Sequence, residues 1–520
     1  MTIVSMLQRH ITEEILDFEQ YENIAPAEFH TWTGLTQDQF TELLDSLPSL
    51  RTKKNKRTLL AAVFHFKLRT GDSNARLANI FKCSETAFHT WLKIGRNALL
   101  EDFVPLNVGF DHISREYVAH RNLFLPNNLF GNPSSPEDER KAITICDGTY
   151  IYLQKSGNYF FQRKSYSHHK YRNLLKPFLL VSCDGHIIEV NGPYAATTSD
   201  ADIMNDMLNN ADSAFHWFYR SGDVFILDRG FRDSARNLES CGYVQHMPQT
   251  KYPNETQLTT DQANKSRLVT ICRWVVEVVN GRFKRDFRLL RNVYNNRALP
   301  SMFEYFKIAA AMINRFHVLI EDNPNAAAIL EIIHQRINMQ NRLADLVIRH
   351  NYNRRRAQFT LMTADMPEFV DFPRMDENEL LLFALGVYQL KQAKSFYGEH
   401  VLDNGAFTIE LSNELSNEDL AELQGNDLWM IRGRLQSRHV RARQYYVYII
   451  IDRFLSGRQA IAHYYCSCII GKRTIGCCSH IMCIIWYMSH ARHLPAITPP
   501  AYGLENIIVV PDDDDFIVFN

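Results

Sequence analysis

The sequence predicts a multidomain α/β (α+β) chain: an α/β core preceded by an all-α module and followed by helices and a small ββα module. Three observations predict it. Helical spacing of apolar residues runs through a basic stretch at 51–97, apolar strand-like runs alternate with helical patterns over 141–284, and five of the ten cysteines fall between Cys466 and Cys483. At 520 residues the chain has room for about three or four domains of roughly 150 residues each. The apolar share of 46% suffices for sizeable cores, and with 22% charged residues the chain does not read as disordered.

The net charge of −1 excludes a globally basic nucleic-acid binder but hides an uneven distribution. Residues 51–97 carry eleven Lys and Arg against Asp72 and Glu85; residues 401–430 carry seven acids and no Lys or Arg; residues 431–444 carry five Arg and no acid. No apolar run approaches the ~18 residues of a membrane span, and MTIVSMLQRHITEE lacks the apolar core of a signal peptide. The expectation is a soluble intracellular protein with no membrane partner. No fixed-period repeat is visible. The segments expected are 1–48 (helical), 49–105 (helix-turn-helix), 140–320 (catalytic core), 321–429 (helical and acidic connector), 430–495 (zinc module) and 496–520 (acidic tail).

In the first module, RTLLAAVFHFKLRTG (57–71) places Leu60, Val63 and Phe64 on one helical face, and Gly71 ends that helix. Asp72 or Ser73 caps a second helix built on Leu77, Ile80 and Phe81. Ser84 caps a third, with Phe88, Trp91 and Leu92 inward and Glu85, Thr86, His89, Thr90 and Lys93 outward. That outward face is where a recognition helix reaches bases in the major groove. A plain three-helix bundle is the alternative; the positive charge favours DNA. The run Arg51–Arg57 serves equally as a nuclear localisation signal or as solvated charge, and a nuclear location is expected.

In the core, KAITICDGTYIYL (141–153) is a strand with Asp147 near its end, and GNYFFQ (157–162) reads as a second. KPFLLVSCDGHIIEVNG (176–192) is two apolar runs joined by Asp184-Gly185, a hairpin signal. A helix follows near Asp202–Leu208, then a strand ending in Asp228, a helix at Ser234–Cys241, a strand at 243–247 and a long helix at 267–284. On that last helix Ile271, Trp274, Val275, Val278 and Val279 form the inward side, with Glu277 among them. Two strand-end aspartates and a helical glutamate can converge as in the two-metal site of an RNase H-like fold, where three carboxylates hold Mg²⁺. Clustered carboxylates repel one another, which is a reason to expect divalent ions. With 58 acids in the chain, strand-end caps and solvated helix faces explain such a triple equally well from pattern alone.

The motifs CDGTYIYLQ, FFQRKSYSHHKYRNLLKPFLLVSCDGHIIEVNGPY, SDADI, ILDRGF and CRWVVEVVNGRFK, in this order, resemble the catalytic domain of PIF/Harbinger-type DDE transposases. The resemblance covers about residues 50–320. It implies Asp147, Asp228 and Glu277 as the catalytic, Mg²⁺- or Mn²⁺-binding triad, with 48 residues between the last two. It implies cleavage of phosphodiesters at terminal inverted repeats, joining to target DNA, and a homo-oligomer that pairs two ends. Asp200 matches a further acidic position of the family, with a helix cap as the preferred reading. Lys164, His168, His169, Lys170, Arg172 and Lys176 are phosphate contacts or solvated loop charges. Arg282, Lys284, Arg285, Arg288 and Arg291 continue as a DNA track, with some of them only flanking the helix end as the alternative. Relatives of this kind act with a separate Myb-like DNA-binding protein, a partner that the zinc module of this chain could replace.

Beyond the core, Met302–Phe316 and Ala326–Arg349 read as helices, 350–430 gives no clear pattern, and 431–453 reads as paired strands. Cys466-x-Cys468 and Cys478-x-His480 form a Cys₃His set suited to tetrahedral Zn²⁺. Cys477 could replace Cys478, and a metal-free cysteine-rich core is the plainer alternative. The wording around it resembles a SWIM-type zinc finger. Arg432, Arg434, Arg438, Arg441 and Arg443 favour DNA over protein as its partner. The functional expectation is a DNA transposase. Its rivals are a domesticated, non-cleaving DNA- or chromatin-binding zinc protein and a host nuclease without strand transfer.

Overall fold

A computed structural model describes residues 17–61, 67–355, 358–400, 408–413, 415, 417–424, 427–437 and 443–497. Among these residues no helix is long and apolar enough to cross a membrane. The chain divides into two compact units, 1–247 with 272–323, and 248–271 with 324–520. Residues 248–271, which the sequence reading assigns to the core segment, thus belong with the C-terminal unit.

The first unit is built on a mixed sheet. Strand β1 (Ile143–Gly148) is followed by β2 (Ile151–Tyr152), β3 (Tyr166–Ser167), β4 (Arg172–Ser182), β5 (Ile187–Ala195), β6 (Val224–Ile226) and β7 (Val244–His246). The long β4 pairs antiparallel with β1, β2, β3 and β5. On its other edge β1 pairs parallel with β6, and β6 parallel with β7. The β4–β5 turn is at Asp184-Gly185, where Gly185 has φ +85° and the Asp184 side chain accepts from the Ser182 hydroxyl. Cys146, Phe178, Leu180, Ile188, Phe225 and Leu227 form one sheet face, covered by Ile203, Met204 and Met207 of the Asp200–Asn209 helix.

The expected strand at 157–162 is instead the helix Tyr159–Ser165, a correction with a local cause. The Asn158 side chain accepts from the Phe161 amide and starts the turn, and Ser165 closes it onto the Phe161 carbonyl. The helix expected at Ala326–Arg349 is two, Ala326–Arg336 and Arg342–His350, because Asn341 caps the second through the Ala344 amide.

The N-terminal helices belong to the same compact unit as the sheet. Ser73 and Ser84 cap the helices Asn74–Ile80 and Glu85–Ala98, as their spacing predicts, and Gly71 sits at φ +70°. Phe88 and Leu92 are buried, while Thr86, His89, Thr90 and Lys93 are exposed on the opposite face. Arg96 pairs with Glu304 at 2.7 Å, fixing the Glu85–Ala98 helix to the helix Met302–Phe316.

The second unit is a five-stranded antiparallel meander in the order β12–β11–β10–β9–β8. Its strands are β8 (Phe359–Leu361), β9 (Thr408–Ser412), β10 (Leu428–Gln436), β11 (Gln444–Asp452) and β12 (Ile461–Cys466). Period-2 alternation buries both faces. Ile431, Val447 and Ile449 face the helices Glu377–Ala384, Val387–His400 and Ser479–Ser489, while Met430, Tyr448 and Ile450 face the helix Arg342–His350. The ββα run expected around the cysteines is therefore the last part of a larger sheet.

Arg432, expected on a DNA-facing surface, is a core residue at 1% exposure. Its Nε donates to Glu410 Oε2 at 2.6 Å, its Nη1 to the Tyr352 carbonyl at 2.9 Å, and its guanidinium lies 3.7 Å over the Phe359 ring. Arg434 also pairs with Glu410, at 2.9 Å. Part of the acidic stretch is thus an internal counter-ion. Arg438, Arg441 and residues 512–515 lie outside the described residues. Glu410 is the shared counter-ion of both arginines, and removing it strands the buried Arg432 guanidinium, so Glu410→Ala should cost about 3–5 kcal/mol of unfolding free energy. Urea denaturation should show this loss, with Arg432→Met on top of it recovering part of the stability.

Candidate active site and metal centre

Parallel pairing sets the position of the two aspartates. Ile145 of β1 stands opposite Ile226 of β6. Two residues further along each strand come Asp147 and Asp228, so the register places them at the same level on neighbouring strands, which lie about 4.8 Å apart in a sheet. Asp228 accepts from the Gly230 amide at 2.6 Å, which turns the chain away directly after β6. Burial raises the pKa of Asp147 to about 7; Arg273 opposes that shift, while Asp228, Asp200 and Glu277 add to it.

The third acid comes from the 27-residue helix Thr260–Asp286. Arg273, Glu277 and Asn280 share one face at i, i+4 and i+7. Arg273 Nη2 lies 3.0 Å from Glu277 Oε1, and its Nη1 lies 3.8 Å from Asp147 Oδ1. Asn280 Nδ2 donates to Asp147 Oδ2 at 3.3 Å. Glu277 is not among the apolar residues: its side chain is 53% exposed and looks outward beside Asp147. Trp274, expected inward, is 40% exposed, and Cys272 and Val276 take buried positions beside Val275 and Val279. The helix is rotated so that its polar face meets the strand ends.

Asp200 is not the helix cap. Ser199 performs that task in a capping box with Asp202. The Asp200 carboxylate instead pairs with Lys176 Nζ at 2.8 Å, and that ammonium also donates to the Thr198 carbonyl at 2.7 Å. A Cβ on Gly148 would lie 2.7 Å from Asp200 Oδ1, and one on Gly230 would lie 2.8 Å from Asp228 Oδ1 and 3.4 Å from Asp200 Oδ2. Both glycines therefore leave room for a fourth acid beside Asp147 and Asp228. Tyr150, on the β1–β2 turn, has its phenol pushed up to about 12 by burial and then by Asp200, Asp147 and Asp228.

Arg273 is the residue that sequence reading missed. Its spacing of four from Glu277 was the available signal. Among the described residues the three carboxylates are not within 4.8 Å of one another, and a guanidinium stands between Asp147 and Glu277. The donor set nonetheless fits a hard divalent cation. Asp147, Asp228 and Glu277 offer carboxylate oxygens, Asp147 is held toward its protonated form by burial and then by its acidic neighbours, and the buried Asn280 Oδ1 beside it has no hydrogen-bond partner.

Two residues expected on a DNA track are only half-exposed and bond carbonyls. Lys284 Nζ donates to the carbonyls of Tyr150 and of Leu290, and burial lowers its pKa to about 8. Arg282 Nη2 donates to the Val318 carbonyl at 2.6 Å. For these two the helix-end alternative describes the contacts: their cations are used on carbonyls.

In the C-terminal unit, Cys466 ends β12, Cys468 lies two residues on, Cys478 is the N-cap of the Ser479–Ser489 helix, and His480 is in its first turn. The four ligand atoms lie within 4.8 Å of one another, and among the described residues they are the one such group. The turn is closed by the Cys466 amide on the Gly471 carbonyl and the Gly471 amide on the Cys468 carbonyl. A Cβ on Gly471 would lie 1.8 Å from the Cys466 carbonyl oxygen, so only glycine fits. Burial raises the Cys466 thiol. For Cys478 burial also opposes ionisation, but hydrogen bonds with Cys466, Cys468 and His480 outweigh it and hold that thiol well below its usual range. His480 sits between the Phe396 and Tyr445 rings at 5.2 and 4.5 Å. Cys477 Sγ points to Met482 Sδ at 3.8 Å, away from the set, and Cys483 is buried in the helix. This arrangement fits tetrahedral Zn²⁺. Gln257 clamps the turn, its Nε2 donating to the Cys466 and Cys468 carbonyls at 2.8 and 2.6 Å and its Oε1 accepting from Tyr465 at 2.8 Å.

The family model described as DDE superfamily endonuclease matches residues 146–314, about a third of the chain. No curated protein and no solved structure matches the chain. The matched region contains Asp147, Asp200, Arg273, Glu277 and the turn at Asp228, and is similar to the nuclease domain of DDE transposases, which use divalent metals and act on DNA.

Two outcomes test these centres. A folded-state pKa above the unfolded value favours folding at low pH and loses that contribution as pH rises through about 7. Asp147→Asn should therefore raise Tm by a few degrees at about pH 8 without added divalent cation, with the gain shrinking below about pH 7 and gone only below about pH 4, where the carboxyl is protonated in the folded and unfolded chain alike. Metal analysis of the purified chain should find one zinc per chain; Cys468→Ser should lose it, whereas Cys477→Ser should keep it.

Proposed function

We propose that the chain is a DNA transposase or a nuclease derived from one, of the PIF/Harbinger type. It cleaves phosphodiester bonds at transposon ends and joins the ends to target DNA through an RNase H-like core. The observation that carries this reading is the β1–β6 register, which sets Asp147 and Asp228 side by side with Glu277 facing them. The sheet order, with β4 and its antiparallel partners β2, β3 and β5 on one side of β1 and the parallel β6 and β7 on the other, supports the RNase H-like assignment.

Asp147, Asp228 and Glu277 would hold Mg²⁺ or Mn²⁺, which supplies Lewis-acid stabilisation of phosphoryl oxygens. Asp147 must shed its proton to do so, a step that burial opposes and a bound cation would favour. Arg273 must release Glu277 or Asp147, leaving a guanidinium beside the developing phosphoryl charge. The exposed Thr86, His89, Thr90 and Lys93 supply a face for the major groove as a helix-turn-helix. The Cys₃His centre would hold Zn²⁺ as a SWIM-type finger, and Arg438, outside the described residues, belongs to this reading as a DNA contact. Assembly as a homo-oligomer, a nuclear location and a Myb-like partner belong to the same reading.

A second reading, the domesticated non-cleaving DNA- or chromatin-binding protein, draws on Arg273, which pairs with Glu277 and approaches Asp147 from within the chain. One experiment separates them. DNA carrying the sequences that flank the gene is incubated with Mg²⁺ and either wild type or Glu277→Gln. Discrete cuts by wild type, reduced at least about a hundredfold in the variant, support the nuclease. Binding without cutting by both overturns it.

A further inference from the structure

Beside the acidic centre stands a surface that the cleavage chemistry does not use. Between Asp147 and Asp184 the chain has six Lys and Arg and no carboxylate. The middle of this segment is the helix Tyr159–Ser165 followed by the β3–β4 hairpin, whose turn is His168–Tyr171. Three large aromatics stand out from it: Tyr159 at 78%, Phe160 at 71% and Tyr171 at 79% exposure.

Their exposure is built in. The inner side of the helix is fastened by polar contacts, with Asn173 Nδ2 donating to the Gln162 carbonyl at 3.0 Å and to Ser165 Oγ at 2.9 Å. Ser165 and Asn173 are buried. With that side anchored, Tyr159 and Phe160 are held toward solvent. Tyr171 sits in the left-handed region at φ +54°, where a bulky side chain is strained and glycine or asparagine is not. A tyrosine there makes sense for what its ring presents.

Cations are interleaved with these rings. Lys164 Nζ lies 6.0 Å from the Phe160 centroid, Lys170 Nζ 5.2 Å over Tyr150, and the Arg172 guanidinium 5.4 Å over Tyr152. Arg163, His168 and His169 are exposed nearby. Through Lys170 the surface reaches Tyr150, whose phenol feels Asp200, Asp147 and Asp228.

We propose that this aromatic and basic flap binds an unpaired stretch of DNA beside the catalytic acids, stacking its bases on Phe160 and Tyr171 and holding its phosphates with Lys164, Lys170 and Arg172. Charge complementarity points to a polyanion, and flat exposed rings between cations match the way single strands are held without sequence readout. In a paired duplex the base faces are stacked on one another and these rings would have nothing to cover. The flap's place at the active site rests on the nuclease reading; its binding of single strands does not.

The test uses the full chain without added divalent cation, so that cleavage plays no part. The probes are an oligothymidylate of about 15 nucleotides carrying one 2-aminopurine, and a blunt duplex of equal length. Wild type should quench the 2-aminopurine. Phe160→Ala and Tyr171→Ala should each weaken single-strand binding about 5- to 100-fold and lose the quench, with duplex affinity within about twofold. Phe160→Trp and Tyr171→Phe keep an aromatic face and should retain both, which guards against loss of fold. Alanine variants that bind the single strand like wild type overturn the proposal, as does an equal fall for single strand and duplex. Quenching without any cleavage in the Mg²⁺ experiment would leave the flap intact and sink only the nuclease reading.

Discussion

The acidic centre depends on one constraint: β1 and β6 run parallel, in a register that ends both on an aspartate at the same level. Two carboxylates at neighbouring strand ends repel each other, and burial makes their charge costlier still. The protein answers with cations on two sides. Lys176, inside β4, reaches Asp200, and Arg273 reaches Asp147 and Glu277 from the long helix. The sheet supplies positions, and the surrounding elements supply charge balance.

The two cations are held differently. Lys176 is buried and tied to Asp200 and the Thr198 carbonyl, a fixed pair whose separation would leave a buried charge. Arg273 pairs with a half-exposed Glu277 one turn away and touches Asp147 only at 3.8 Å. An exposed i, i+4 pair is worth only about 0.3–0.5 kcal/mol, so it can be exchanged for a better counter-ion. This contrast divides the four acids. Asp200 has a permanent partner and helps to raise the pKa of Asp147, while Asp147, Asp228 and Glu277 are the ones free to take a divalent cation.

Much of this was legible in the sequence wherever a local rule decides the outcome. Serine caps, the Asp-Gly hairpin and the Cys-x-Cys and Cys-x-His spacings depend on short-range geometry, and Ser73, Ser84, Asp184-Gly185 and the Cys₃His set are found in the places those rules give. Tertiary contacts overruled local pattern elsewhere. Phe160 and Tyr159 look like strand residues, yet the Asn158 cap and the Asn173–Ser165 contact make them helical. Arg432 looks like a DNA contact until Glu410, twenty-two residues away, is folded against it. Trp274 and Glu277 stand among apolar residues in the sequence, but the helix buries one stripe in the unit and gives its polar stripe to Asp147. Arg273 was passed over because a single arginine four residues before a glutamate is ordinary on any helix.

The same distinction between local and distant partners explains why charge counting misjudged the basic residues. Lys284 and Arg282, at a helix end, are drawn onto backbone carbonyls, and Arg432 and Arg434 onto Glu410. The cations of 163–172 have no acid within reach along the chain, and their neighbours in the fold are rings. A guanidinium or ammonium over an aromatic face keeps its charge, since the ring accepts no proton and cancels no charge. Positive potential therefore persists on the flap, whereas in the C-terminal sheet it is cancelled by paired glutamate. The cluster at 163–172 keeps Arg163, Lys164, Lys170 and Arg172 facing solvent, and it adjoins the acids that would cut a bound strand.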